Sequence, residues 1–110
     1  MRRYDVAKSG TSEESRLVDA AQIEILRYAK YSAEQMLDVK AFLKGVERII
    51  KVLTDKLTSE ALIVRCRAIL PTYAVRMYYR EQQLVRTYAL WYAFALESSL
   101  ISMVRTALQE

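Results

Sequence analysis

The sequence predicts an all-α protein, a single four- or five-helix bundle with a long C-terminal helix. Three observations lead there. Two glycines and one proline in 110 residues are too few for the many turns of a sandwich, barrel or Rossmann sheet. Apolar residues recur at spacings of three and four over most of the chain, the period of an amphipathic helix. From Thr72 to about Leu108 neither glycine nor proline interrupts that pattern, so one long helix, or two joined near Glu81 to Gln83, is expected there. A 53% hydrophobic content at this length suffices for one core and leaves no room for a second independent domain.

The elements follow in chain order, with residues 1–10 expected as a flexible N-terminal arm and 11–110 as a single helical domain. Arg2, Arg3, Tyr4 and Lys8 in the arm could fold onto a polyanion. Thr11 with Glu14 makes a capping box, and Val18, Ala21, Ile25 and Ala29 carry one apolar stripe onward to about Tyr31. Ser32 with Gln35 repeats the box, so either a second helix begins at Ala33 or the first runs through with a bend, and the break is the favoured reading. The clearest helix runs through Met36, Val39, Phe42, Val46, Ile50, Leu53 and Leu57, with Asp38, Lys40, Lys44, Glu47, Lys51 and Asp55 on its solvated face. Gly45 inside it costs about 1 kcal/mol against alanine, which a close helix crossing would offset. Thr58 or Ser59 caps a short helix through Leu62, Ile63, Cys66 and Ile69, and Pro71 is expected to end it and open the next.

On a wheel of roughly 100° per residue, the last helix divides into two arcs. Ala74, Met77, Tyr78, Leu84, Val85, Tyr88, Tyr92, Leu96 and Met103 share the arc expected to face the core. Arg76, Tyr79, Arg80, Gln83 and Arg86 share the opposite arc. That outer arc continues as Leu90, Phe94 and Ile101, an apolar line that a monomer rarely shows to solvent, with Glu97 set between them. We read these four as a candidate protein interface, the alternative being a further packing element of the same chain. Leu84 to Val104 is long enough to raise the membrane question, but Arg86 and Glu97 interrupt it, so a buried or interface helix is expected instead.

Charge supplies the functional signal. Between Ala61 and Leu96 stand Arg65, Arg67, Arg76, Arg80 and Arg86, one acid (Glu81) and no lysine. The rest of the chain is balanced, 12 basic against 12 acidic, so the net charge of +4 comes from this segment alone. Guanidinium groups suit bidentate phosphate contact, and neighbouring rings suit base stacking. The candidate nucleic-acid residues are Arg65, Arg67, Arg76, Tyr79, Arg80, Gln83 and Arg86, with Tyr79 the stacking ring. Arg65 and Arg67 precede Pro71, and nothing in the sequence puts them on the same face as the other three. Such binding needs no sequence readout and weakens with salt.

The catalytic inventory is poor. Histidine is absent, and with it the commonest general base and metal ligand. Glu97 between apolar turns is either a desolvated acid or, more in keeping with its surroundings, one half of a salt link to a neighbouring helix or subunit. Ser98 and Ser99 have no activating partner, and no glycine-rich loop cradles a phosphate. The expectation is a protein that is not an enzyme and carries no metal or cofactor. Cys66 is a single cysteine in an apolar run, which excludes an internal disulfide and fits a reducing compartment. Met1 to Gly10 has no apolar stretch of a secretory signal. These features suggest a cytoplasmic protein.

One resemblance sharpens the reading. Ala33-Glu34-Gln35-Met36-Leu37-Asp38-Val39-Lys40-Ala41-Phe42-Leu43, continuing to Val46 and Ile49, resembles the first conserved helix of the small subunit of type III CRISPR effector complexes. Ile69-Leu70-Pro71-Thr72-Tyr73-Ala74, followed by Arg76 and Arg80, is similar to that family's leucine-proline segment and its arginine. Phe94 to Val104, with Glu97, resembles the closing helix. The resemblance implies a non-catalytic helical subunit of an antiviral defence complex, stacked in several copies along a guide and target RNA duplex. Its partners would be RNA, rather than DNA, and other subunits. The reading from residues alone keeps a second class open, a scaffold or capsid-type helical oligomer whose arginines make contacts between subunits.

Overall fold

The computed structural model describes residues 12–109, and the Thr11 cap and the N-terminal arm lie outside them. Three α-helices follow one another: α1 Ser12–Glu34, α2 Val39–Asp55 and α3 Glu60–Gln109, without a strand among the described residues. The fold is thus all-α with a long C-terminal helix, but it has three helices and not the four or five that the punctuation predicts. Of the expected breaks, the one at Ser32 is displaced, and the absence of the others within α3 accounts for the lower count.

The break expected at Ser32 comes at residues 35–38 instead. Ser32 lies buried inside α1, and its hydroxyl has no hydrogen-bond partner. The helix ends in a Schellman motif, in which Met36 N–H donates to Ala33 O (3.1 Å) and Leu37 N–H donates to Ser32 O (3.0 Å). Such a motif puts the residue after the cap in the left-handed region. Here that residue is Met36, at φ 61°. Asp38 then opens α2, its carboxylate accepting from Ala41 N–H at 2.8 Å.

The second expected break, at Pro71, does not occur, and α3 runs through the proline for 50 residues. A proline inside a helix costs about 3 kcal/mol. Leu62, Cys66 and Leu70 before it and Ala74 and Tyr78 after it are all buried, and burying one large apolar side chain returns about 1.5–3 kcal/mol. Packing on both sides of Pro71 outweighs the local defect.

The core is formed where the three helices run side by side, from Val18, Ile25 and Ala29 of α1, Phe42, Val46, Ile50 and Leu53 of α2, and Leu62 to Tyr78 of α3. Ring contacts cross it from Tyr28 to Phe42 (5.4 Å) and from Phe42 to Tyr78 (4.8 Å). Both ends are pinned to α3. At one end the Tyr78 hydroxyl donates to Leu37 O in the α1–α2 turn. At the other the buried Glu14 carboxylate accepts from Thr58 N–H (2.7 Å), Thr58 Oγ1 (3.2 Å) and Ser59 N–H (3.4 Å), so α1 caps the start of α3. Ser59 Oγ adds the local cap, accepting from Leu62 N–H at 3.3 Å.

Past Glu81, α3 leaves the bundle behind. Its remaining residues project as an isolated rod, which gives the molecule extents of 75 × 27 × 17 Å and a radius of gyration of 20.8 Å. A compact chain of this length has a radius near 13 Å.

Candidate nucleic-acid and assembly interface

The buried residues of α3 recur every four positions, Leu62, Cys66, Leu70, Ala74 and Tyr78, so the line of contact winds gradually around a helix of 3.6 residues per turn. The five arginines therefore separate. Arg67 is exposed but lines a groove between α2 and α3 with Glu47, Lys51, Asp55 and Pro71. It lies nine residues, about 180°, from Arg76. Arg65 is half-buried near Cys66, whose thiol is pushed above the usual range by burial, an effect that the Arg65 charge opposes.

Arg76, Arg80 and Arg86 are exposed together with Tyr79 and Gln83 on the side of α3 away from the core. Arg80 bends back along the helix, its Nη1 donating to Met77 Sδ at 3.9 Å. Glu81, the segment's one acid, turns into the bundle and is 9% exposed. The strip thus presents positive charge without an acid on its own surface. Tyr79 is 52% exposed and meets Tyr78 edge-on at 5.4 Å, which leaves much of its ring to solvent. Tyr78 belongs to the core, and burial, with Asp38 second, pushes its hydroxyl above the usual tyrosine range.

The expected inner arc of α3 reaches the core only in its first half. Ala74 and Tyr78 are buried and Met77 packs against the core, but Leu84, Tyr88, Tyr92, Leu96 and Met103 are exposed. Periodicity identifies an apolar face, and α1 and α2 are too short to cover it here. On the other arc, Leu90, Phe94 and Ile101 are 72%, 63% and 49% exposed, so no segment of the described chain packs over them. A shallow recess along this side is lined by Thr87, Leu90, Trp91, Ala93, Phe94 and Glu97, all from the one helix. Apolar side chains consequently surround the rod on every side, the pattern of a helix buried by something outside its own chain.

Among the described residues no helix is long and apolar enough to cross a membrane, and no three side chains of metal-binding type cluster. No protein-family model, curated protein or solved structure matches the chain.

Proposed function

We propose that the protein is a non-catalytic helical subunit that assembles through the free half of α3 and binds nucleic-acid backbone, RNA foremost, without reading sequence. The observation that carries this reading is the exposed strip of Arg76, Tyr79, Arg80, Gln83 and Arg86, from which Glu81 is turned away. Uncompensated arginines on a rigid helix suit phosphate contact. The bare apolar rod beyond them suits assembly. The resemblance to the small subunit of type III CRISPR effector complexes agrees with both, a cytoplasmic complex stacking along an RNA duplex.

Fluorescence anisotropy with a generic RNA oligonucleotide tests it. Three neutralised phosphates per subunit give a log–log salt slope near −2 on a single strand, and Arg76→Glu with Arg80→Glu removes most of the affinity. Absence of binding at low salt, or binding indifferent to salt, overturns the proposal. A second reading, a scaffold or capsid-type oligomer with arginines in contacts between subunits, is favoured by the apolar rod alone. Light scattering separates the two: assembly that ignores RNA and is lost in Arg76→Glu supports the scaffold.

A further inference from the structure

We infer that the occupant of the exposed α3 face is a second copy of this chain, lying antiparallel, with the two-fold axis level with the bond between Trp91 and Tyr92. The inference deepens the assembly half of the proposed function and rests on it. Between Gln82 and Gln109 the chain has three charges, Arg86, Glu97 and Arg105. Arg86 and Glu97 are eleven residues apart, which on an α-helix is about 20° around and about 16 Å along the axis. Ion pairs within one helix need a spacing of three or four, so these two share a face and cannot meet within the chain. Both are exposed and without an ion-pair partner among the described residues.

A symmetric dimer requires a surface complementary to itself, residue i meeting j while j meets i. The α3 face has that property about one point. Arg86 and Glu97 are equidistant from the 91–92 level, and so are Leu90 and Ala93, and Tyr79 and Val104. All six are exposed and fall within an arc of about 60°. An antiparallel copy then places Arg86 against Glu97 twice, the large Leu90 against the small Ala93, and Val104 near the tip of each rod against Tyr79. Parallel pairing in register would instead set Arg86 on Arg86 and Glu97 on Glu97. Area is sufficient as well: the chain exposes 8018 Å², about 1,700 Å² more than a compact monomer of its mass, while a standard interface takes about 800 Å² from each partner.

This arrangement reassigns Arg86 and Tyr79 from the polyanion to the partner. In exchange it brings Arg105 of the second copy level with Tyr78, beside Arg76 and Arg80, so each basic strip is completed by the other chain. The opposite arc of the rod stays open to further subunits.

Sedimentation velocity on the full chain, without nucleic acid, tests the register. The wild type is expected as a dimer or an even multiple of it. Arg86→Glu and Glu97→Arg should each raise the dissociation constant about tenfold or more, and the double variant Arg86→Glu/Glu97→Arg should restore it to within about threefold of wild type. Circular dichroism keeps unfolding apart from dissociation. Assembly indifferent to the single reversals, or not rescued by the double, overturns the antiparallel register while leaving the assembly reading intact. A monomer at about 100 μM, or a rod covered only in the presence of a different protein, overturns the second copy while leaving assembly with other subunits standing, and a rod covered only in the presence of vesicles overturns both.

Discussion

The side chain of Tyr28 lies across Gly45: a methyl group added at that glycine would come within 2.2 Å of the Tyr28 hydroxyl oxygen and 2.4 Å of its ring. This contact is where α1 approaches α2, and it explains a glycine in the middle of the most regular helix of the chain. Gly45→Ala gains about 1 kcal/mol of helix propensity. It also drives Tyr28 off its stack with Phe42, losing about 0.5–1.5 kcal/mol of ring contact and the packing around it. A net loss of about 1–2 kcal/mol is expected in urea unfolding. The diagnostic is the sign, because in a Tyr28→Ala background the same Gly45→Ala change becomes stabilising.

Met36 carries the strain of the α1–α2 turn. A non-glycine residue in the left-handed region costs about 1–2 kcal/mol, part of which glycine gives back through its larger loss of freedom on folding. Met36→Gly should therefore raise stability by about 0.5–1 kcal/mol, and Met36→Val should lower it. Met36 is 83% exposed, so neither change disturbs the core. A thermal scan in which the two variants move in the same direction refutes this account of the turn.

The Glu14 carboxylate serves a helix 44 residues further along the chain. Glu14→Ala removes the acceptor for the Thr58 amide at a buried site, with an expected loss of about 2–3 kcal/mol. Glu14→Gln keeps one carbonyl oxygen there and should lose about half as much. The midpoint should fall at constant m-value, since the folded bundle stays equally compact.

Tyr78 makes stability depend on alkaline pH. Its folded pKa is raised by burial above the unfolded value near 10. Its contribution is therefore complete below about pH 10 and disappears as pH rises through the folded pKa. At pH 7, Tyr78→Phe should cost about 1 kcal/mol through the orphaned Leu37 carbonyl. Above pH 10 the gap between wild type and variant should close. A gap that stays constant from pH 7 to pH 11 contradicts the assignment.

Much of the bundle can be read from residue spacing. The stripe Phe42, Val46, Ile50, Leu53 and Leu57 is buried as its period predicts, Ser59 caps α3, and the close approach at Gly45 follows from a glycine where only packing would retain one. The outward direction of Arg76, Arg80 and Arg86 is likewise a matter of angle along one helix. Other features depend on what spacing does not encode. The α1–α2 turn uses Met36 where glycine would have marked it, so the S-x-x-Q signal at Ser32 attracts the break to the wrong place. Pro71 is overridden by neighbours buried on both sides, and the partner of Glu14 is distant in sequence. The candidate interface was half legible for a related reason. The apolar face of α3 is visible in its period, but whether α1 and α2 reach far enough to cover it depends on where they end.

The unbroken run of α3 from Arg76 past Leu90 puts the arginine strip and the apolar rod in a fixed angular phase, as two gears on one shaft. Each residue inserted between Arg86 and Leu90 would turn everything beyond it by about 100° and advance it by 1.5 Å. One added residue would misalign the two surfaces, whereas seven would nearly restore their phase while lengthening the shaft by about 10 Å. Length along this helix is free to vary in whole turns, while its phase is not.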